Sequence, residues 1–135
     1  MSTRAVYTDR APEPVASYSQ AVQAGNLLQV AGQGGVDPRT GEWAGDTVEA
    51  QTRQTLENLV AILEAAGAGL RDVIMMRVYL TDRAHFAAMN DVYTSYVREP
   101  FPARTTVFVG LAEGMLVEID ALAVIPSRDG GGGPS

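Results

Sequence analysis

The segment "LRDVIMMRVYLTD", residues 70–82, constrains the fold of this chain more than any other. It is a run of strand-forming residues whose side chains must alternate between two faces. Strict alternation puts Val73, Met75 and Tyr79 on one face and Ile74, Met76 and Val78 on the other, so both faces are apolar apart from Arg77. Such a strand belongs at the centre of a sheet and needs cover on both sides.

The remaining segments supply cover for one side only. "TVEAQTRQTLENLVAILEAAGAG" reads as a helix with Thr47 as N-cap, Val48, Leu56, Leu59, Val60 and Leu63 at helical spacing, and Gly67 as the stop. "RAHFAAMNDVYTSYV" reads as a second helix, with Phe86, Met89, Val92, Tyr93 and Tyr96 or Val97 on one face. "SYSQAVQAGNLLQVAGQGGV" reads as a hairpin turning at "AGN", and "DPRTGEW" as a loop. "ARTTVFVGL" and "MLVEIDALAVI" are closing strands, and an extra strand is expected near Arg4 to Tyr7. Helices that follow separate strands imply crossovers, hence an α+β fold with a mixed sheet and both helices on one face. The other face then calls for a partner subunit, so an obligate oligomer is expected. With 135 residues one domain is expected, over residues 1–126, followed by a Gly-rich tail at 127–135 read as disordered.

Composition removes whole classes of chemistry. Cys is absent, so disulfides, thiolate metal sites and cysteine nucleophiles are excluded. All ten basic residues are Arg, which excludes a Schiff-base lysine and a P-loop lysine. The single His, His85, rules out a multi-histidine metal site, and its place at the start of a helix suggests a solvated or capping role. No Asp/Glu cluster has loop-type spacing for a cation, so no metal is expected. The net charge of −6, with arginines scattered among sixteen acids, argues against nucleic acid as a partner. No apolar run reaches membrane-spanning length, and the N-terminus lacks an apolar signal core, so a cytoplasmic protein with no membrane partner is expected. "GQGG" is read as a bend, because no lysine or helix follows it to make a phosphate loop. What remains is a pair of charges on what read as neighbouring, otherwise apolar strands: Arg104 and Glu118. Alternation puts Leu116, Glu118, Asp120 and Leu122 on one face and Val117, Ile119 and Ala121 on the other. Either acid has a solvated or structural reading as well as a functional one.

The pieces "YSQAV", "AGNLLQVAGQGGVDPRTG", "QTRQTLENLVAILEAAGAGLRDVIMMRVYLTD", "FAAMNDVYTSYV", "PARTTV" and "VEIDALAV" resemble, in order and spacing, the reactive intermediate deaminase family, also called RidA or YjgF. The resemblance runs from about Ser17 to Val124. It implies a chorismate-mutase-like fold closed as a homotrimer around a barrel-like core, with active sites in clefts between subunits. It implies cofactor-free hydrolysis of enamines and imines, such as 2-aminoacrylate leaking from pyridoxal phosphate enzymes, to 2-oxo acids and ammonia. The catalytic residues it implies are Arg104, holding the carboxylate of a small-molecule substrate, and Glu118; the substrate-binding residues are Tyr18, Asn90, Gly32 and the backbone N–H of Thr106. The chain departs from the family pattern at Ala16 and Ser17, where Gly-Pro is common, and at Gly35, where Pro is common. Both departures are expected to line the cleft entrance and bear on substrate size. Alternatives to the deaminase are a non-catalytic trimer binding small carboxylates, a pathway-specific imine deaminase, and a ribonuclease, against which the acidic balance speaks.

Overall fold

The computed structural model describes residues 2–126. The expected tail at 127–135 lies outside the described residues. Eight strands and two α-helices are formed among them: β1 (Thr3–Val6), β2 (Ala21–Ala24), β3 (Leu27–Gln33), β4 (Val36–Asp37), β5 (Glu42–Trp43), α1 (Val48–Ala65), β6 (Val73–Leu80), α2 (Phe86–Thr94), β7 (Ala103–Phe108) and β8 (Val117–Val124). The small β4–β5 pair occupies the stretch expected to be a loop.

The main sheet has the order β1-β2-β3-β8-β6-β7. Only the β6–β7 pairing is parallel. The β2–β3 hairpin turns at Gly25, whose φ of +62 requires glycine or its like. α1 starts where expected: the Thr47 hydroxyl accepts from the Ala50 N–H at 3.1 Å, and the helix gives out before Gly67 at φ +83. α2 is shorter than its pattern. Residues 83–85 form a 3-10 turn capped by Asp82, and His85 makes no side-chain cap bond, so the capping role expected of it is not the one it has. Its Nδ1 is buried without a partner among the described residues.

Both helices lie on one face of the sheet. Val117, Ile119, Ala121 and Ala123 of β8 and Met76, Val78 and Leu80 of β6 are buried beneath them. The opposite face carries Leu27, Gln29, Met75, Arg77, Tyr79, Glu118, Asp120, Leu122 and Val124, and no helix among the described residues covers it. The central strand departs from strict alternation. Its pairing with β8 shifts between Val73 and Met75, a bulge that turns Val73 into the core at 6% exposure and leaves Ile74 49% exposed. The expected grouping of Val73 with Met75, and of Ile74 with Met76, is therefore wrong by one residue at that end. β7 and β8 are not neighbours either, because β6 lies between them.

Gly35, expected at the cleft entrance, is instead buried against α1. A Cβ there would meet the Gln51 Cα at 2.7 Å, so the residue sits where helix and loop backbones approach closely. Gly114 is held as tightly on the other side of the same helix end: its φ is +86, and a Cβ would lie 2.5 Å from the Trp43 indole nitrogen. Gly114→Ala is expected to cost about 1–3 kcal/mol of stability through backbone strain and displacement of Trp43. Urea unfolding would measure it as a lowered midpoint at unchanged slope; a wild-type midpoint would refute this account of the turn.

Candidate functional site

Arg104 lies on β7, the edge strand, with its side chain on the helix side of the sheet. Its Nη1 donates to Asn90 Oδ1 of α2 at 2.7 Å. The guanidinium stands over the Tyr93 ring at 4.7 Å and near the Phe86 ring at 5.6 Å. Phe86, Asn90 and Tyr93 are spaced i, i+4, i+7, so α2 presents one face made of two rings and an amide to a single arginine. The sequence pattern counts Phe86 and Tyr93 as core; Tyr93 is buried, but Phe86 is 39% exposed, and both rings form the arginine's bed. None of the ion pairs among the described residues uses Arg104. A cavity of about 230 Å³ opens beside it, lined by Asn90, Tyr93, Val97, Phe101, Pro102 and Arg104 among others. The Tyr93 hydroxyl is buried with no partner, and burial pushes its pKa up while the Arg104 charge draws it back.

Thr106 lies two residues along the same strand. The Val109 N–H donates to Leu80 O of β6 at 2.8 Å. Backbone groups of a strand alternate between its two edges. Three residues earlier, the Thr106 N–H therefore points away from β6, toward the free edge, as does that of Arg104. A guanidinium and an outward N–H on one edge are suited to the two oxygens of a carboxylate.

Glu118 lies on the uncovered face of the sheet, opposite to the Arg104 side chain. It pairs in register with Tyr79 of β6 and packs against the β3 backbone at Gly32. A Cβ on Gly32 would lie 2.0 Å from Glu118 Oε2, so any larger residue there would push the carboxylate out of its present position. Gly32 falls inside the irregular stretch of the β3–β8 pairing between Val30 and Gln33. Tyr18, 48% exposed, precedes β2; the Gln20 carbonyl accepts from the Ala31 N–H at 2.8 Å, which brings this segment to the Gly32 end of β3.

The second acid, Asp120, is already committed. Its carboxylate accepts from Arg77 Nε at 2.9 Å and from the Tyr79 hydroxyl at 2.9 Å. Glu118 enters no ion pair among the described residues. Burial pushes its pKa up from the usual carboxylate range, and the negative charge of Asp120 pushes it further. The two acids thus differ in their surroundings: Asp120 is hydrogen-bonded to Arg77 and Tyr79, and Glu118 is not paired with a cation among the described residues.

One chain therefore brings the expected residues together in two groups, not one. Arg104, Asn90 and Thr106 gather at the β7 edge and α2; Glu118, Gly32 and Tyr18 gather on and beside the other face. Among the described residues no three His, Asp or Glu side chains are grouped to hold a metal ion, and no helix is long and apolar enough to cross a membrane.

Comparison with known proteins gives these groups a context. The family model described as endoribonuclease L-PSP matches residues 8–125. A RutC family protein of Pyrococcus horikoshii is 51% identical over 119 residues, covering 87% of this chain and 94% of that protein. A 2-iminobutanoate/2-iminopropanoate deaminase of Dermatophagoides farinae is 38% identical over 123 residues, covering 90% of this chain and 96% of that protein. The crystal structure of RidA from an Antarctic Psychrobacter matches with a TM-score of 0.87 at 44% identity, covering 90% of this chain and 99% of that one.

The unequal surroundings of the two acids predict a titration. Asp120→Asn should lower the pKa of Glu118, because it removes the neighbouring negative charge and frees the Arg77 charge beside it. Carboxyl carbon NMR of Glu118 against pH would measure the shift; an unchanged or raised value would contradict the assignment.

Proposed function

The chain belongs to the RidA/YjgF family, which the endoribonuclease L-PSP model describes, and on that premise we propose that it hydrolyses 2-imino acids and their enamine tautomers to 2-oxo acids and ammonia. The observation that carries this reading is the state of Arg104. It is half-buried, held by a neutral amide and two aromatic rings, and no protein carboxylate pairs with it among the described residues. Its charge is left for a ligand, and the outward N–H of Thr106 gives that ligand a second donor. The deaminase name of the Dermatophagoides relative supports the same substrate class.

The chemistry needs an electrophilic carbon, a water and a way to move one proton. With the substrate carboxylate held by Arg104, water adds to the imine carbon, the C=N π pair goes to nitrogen, and nitrogen is protonated. The carbinolamine then loses ammonia as the C–N bond breaks and C=O forms. A carboxyl group with a raised pKa carries protons in both steps: Glu118 as acid gives a proton to nitrogen, and as carboxylate takes one from water. No covalent enzyme intermediate is needed, in keeping with a chain that lacks Lys and Cys. The family description names RNA cleavage, but a chain with net charge −6 and one His is poorly suited to holding phosphates. We propose a small carboxylate as the ligand, with no nucleic acid, and the cytoplasm as the place of action.

Arg104 and Glu118 face opposite sides of one sheet, so the reaction requires two copies of the chain. The uncovered face, with Leu27 and Ile74 nearly half exposed, is the surface for that association. We propose a homotrimer around a barrel-like core, in which each cleft takes Arg104 from one subunit and Glu118 from the next.

Two experiments test this. An amino-acid oxidase would generate 2-imino acids in situ, with semicarbazide trapping what remains. The wild type should deplete the imine, and Arg104→Ala should lose about tenfold to a hundredfold in rate, the worth of one charge-assisted contact. Failure of the wild type on both small and bulky imines would leave a binding protein and sink the enzyme reading. Co-assembly of Arg104→Ala and Glu118→Ala chains, each strongly impaired alone, should restore about a quarter of wild-type activity by random assortment around a ring. No recovery from a mixed oligomer would mean that each site belongs to one chain.

A further inference from the structure

We propose that Gln51 and Asn58 of α1 are positioning residues for Glu118, fixing its carboxylate against Gly32 from behind the sheet; this rests on the deaminase reading of the site. α1 carries a polar seam where a core helix would carry apolar residues. Gln51, Thr52, Thr55 and Asn58 are all 1% exposed or less. Buried amides are costly unless fully bonded, and these two amides spend most of their hydrogen bonds on three segments outside the helix, at residues 34–36, 45 and 114–116. Gln51 Nε2 donates to Gly45 O at 3.0 Å and to Gly114 O at 2.9 Å, and its Oε1 accepts from the Leu116 N–H at 2.8 Å. Asn58 Nδ2 donates to Gly34 O at 3.0 Å and to Val36 O at 2.9 Å, while its Oδ1 accepts from Gln54 at 2.9 Å.

The anchored residues flank the Glu118–Gly32 contact. Leu116 is two residues before Glu118, and Gly34 is two residues after Gly32. The β3–β8 pairing is irregular between Val30 and Gln33, so the ladder does not fix Gly32 against β8 there. α1 takes over where the ladder lapses. One glycine lets the backbones close on the seam: a Cβ on Gly35 would strike the Gln51 backbone, at 2.7 Å from its Cα. The carboxylate needs this placement because its protonation depends on it. Besides Gly32, Glu118 is faced by Asp120 on its own strand and by Tyr79 and Arg77 on β6; β3 contributes no titratable group on that face. A shift of the strand start alters its burial and its distance to each of these.

The variants are Gln51→Leu and Asn58→Leu, with Thr55→Val as control, since the Thr55 hydroxyl is buried without a partner. Gln51→Asn, which keeps the amide but falls one methylene short, serves where Gln51→Leu does not fold. All are assayed as full-length oligomers well below their unfolding temperatures. Loss of positioning should lower kcat by about tenfold to a hundredfold and leave KM within about twofold, because the Arg104 clamp is untouched. Carboxyl NMR should show the Glu118 pKa falling toward the ordinary value as its burial is lost. A folded Gln51 variant with wild-type kcat and wild-type Glu118 titration overturns the proposal. So does a loss in Thr55→Val as large as that in Gln51→Leu, which would mark general loosening. If the wild type turns over no imine, the deaminase reading fails, and the Glu118 titration still decides whether the seam positions it.

Discussion

A six-stranded sheet covered on one face by two helices governs everything else in this chain. Strands spaced about 4.8 Å apart make a sheet roughly 25–30 Å wide, while two helices of about 10 Å each cover some 20 Å of it. The shortfall on the covered side falls at β1 and β2. There the segment between them closes the core, with Gln20 bonded to Thr8 at both its amide ends and Ala11 buried. On the other side there is no such filler. Leu27, Ile74, Met75, Leu122 and Val124 share that face with Arg77, Tyr79, Glu118 and Asp120, and no helix among the described residues shields them.

The same geometry divides the chemistry. A side chain on β7 reaches the helix side only at the sheet's edge, where α2 ends and solvent begins; this is where a ligand charge can be met. A carboxylate on β8 lies near the sheet's middle, where its neighbours already draw it partly out of water. Placing the cation at an edge and the acid at the centre of the opposite face separates them by the thickness of the sheet. It also keeps the two charges from neutralising each other within one subunit. Had they shared a face on adjacent strands, a cross-strand ion pair would have formed, as Arg77 and Asp120 do.

Much of this was legible from the residues. α1 with its Thr47 cap, the β2–β3 turn at Gly25, the one-sided helix layer and the alternation of β8 all follow from spacing and turn chemistry. The strand order does not, because periodicity says which face a residue takes and not which strand lies next to it; hence β7 and β8 read as neighbours. The bulge at Val73–Met75 escaped for a related reason: alternation assumes that no residue is skipped. Gly35 read as a cleft residue because a glycine pattern does not say what backbone it lets approach. The polar seam of α1 was the clearest missed signal. Gln51, Thr52, Thr55 and Asn58 lie on one helix stripe, yet buried amides and solvated amides look alike in sequence. Phe86, Asn90 and Tyr93 share a stripe as well, but nothing in a helix pattern says that an arginine will lie across it.

The two acids of β8 show why surroundings, and not residue type, assign a role. They are two residues apart on one face and chemically almost alike. Asp120 is fixed by hydrogen bonds from Arg77 and Tyr79. Glu118 has the Gly32 backbone in place of a cation, and its charged form is opposed both by burial and by the charge that Asp120 keeps. An ordinary glutamate is thus set apart from its neighbour by what surrounds it: the close Gly32 backbone, partial burial and a nearby negative charge, the last two of which push its pKa up.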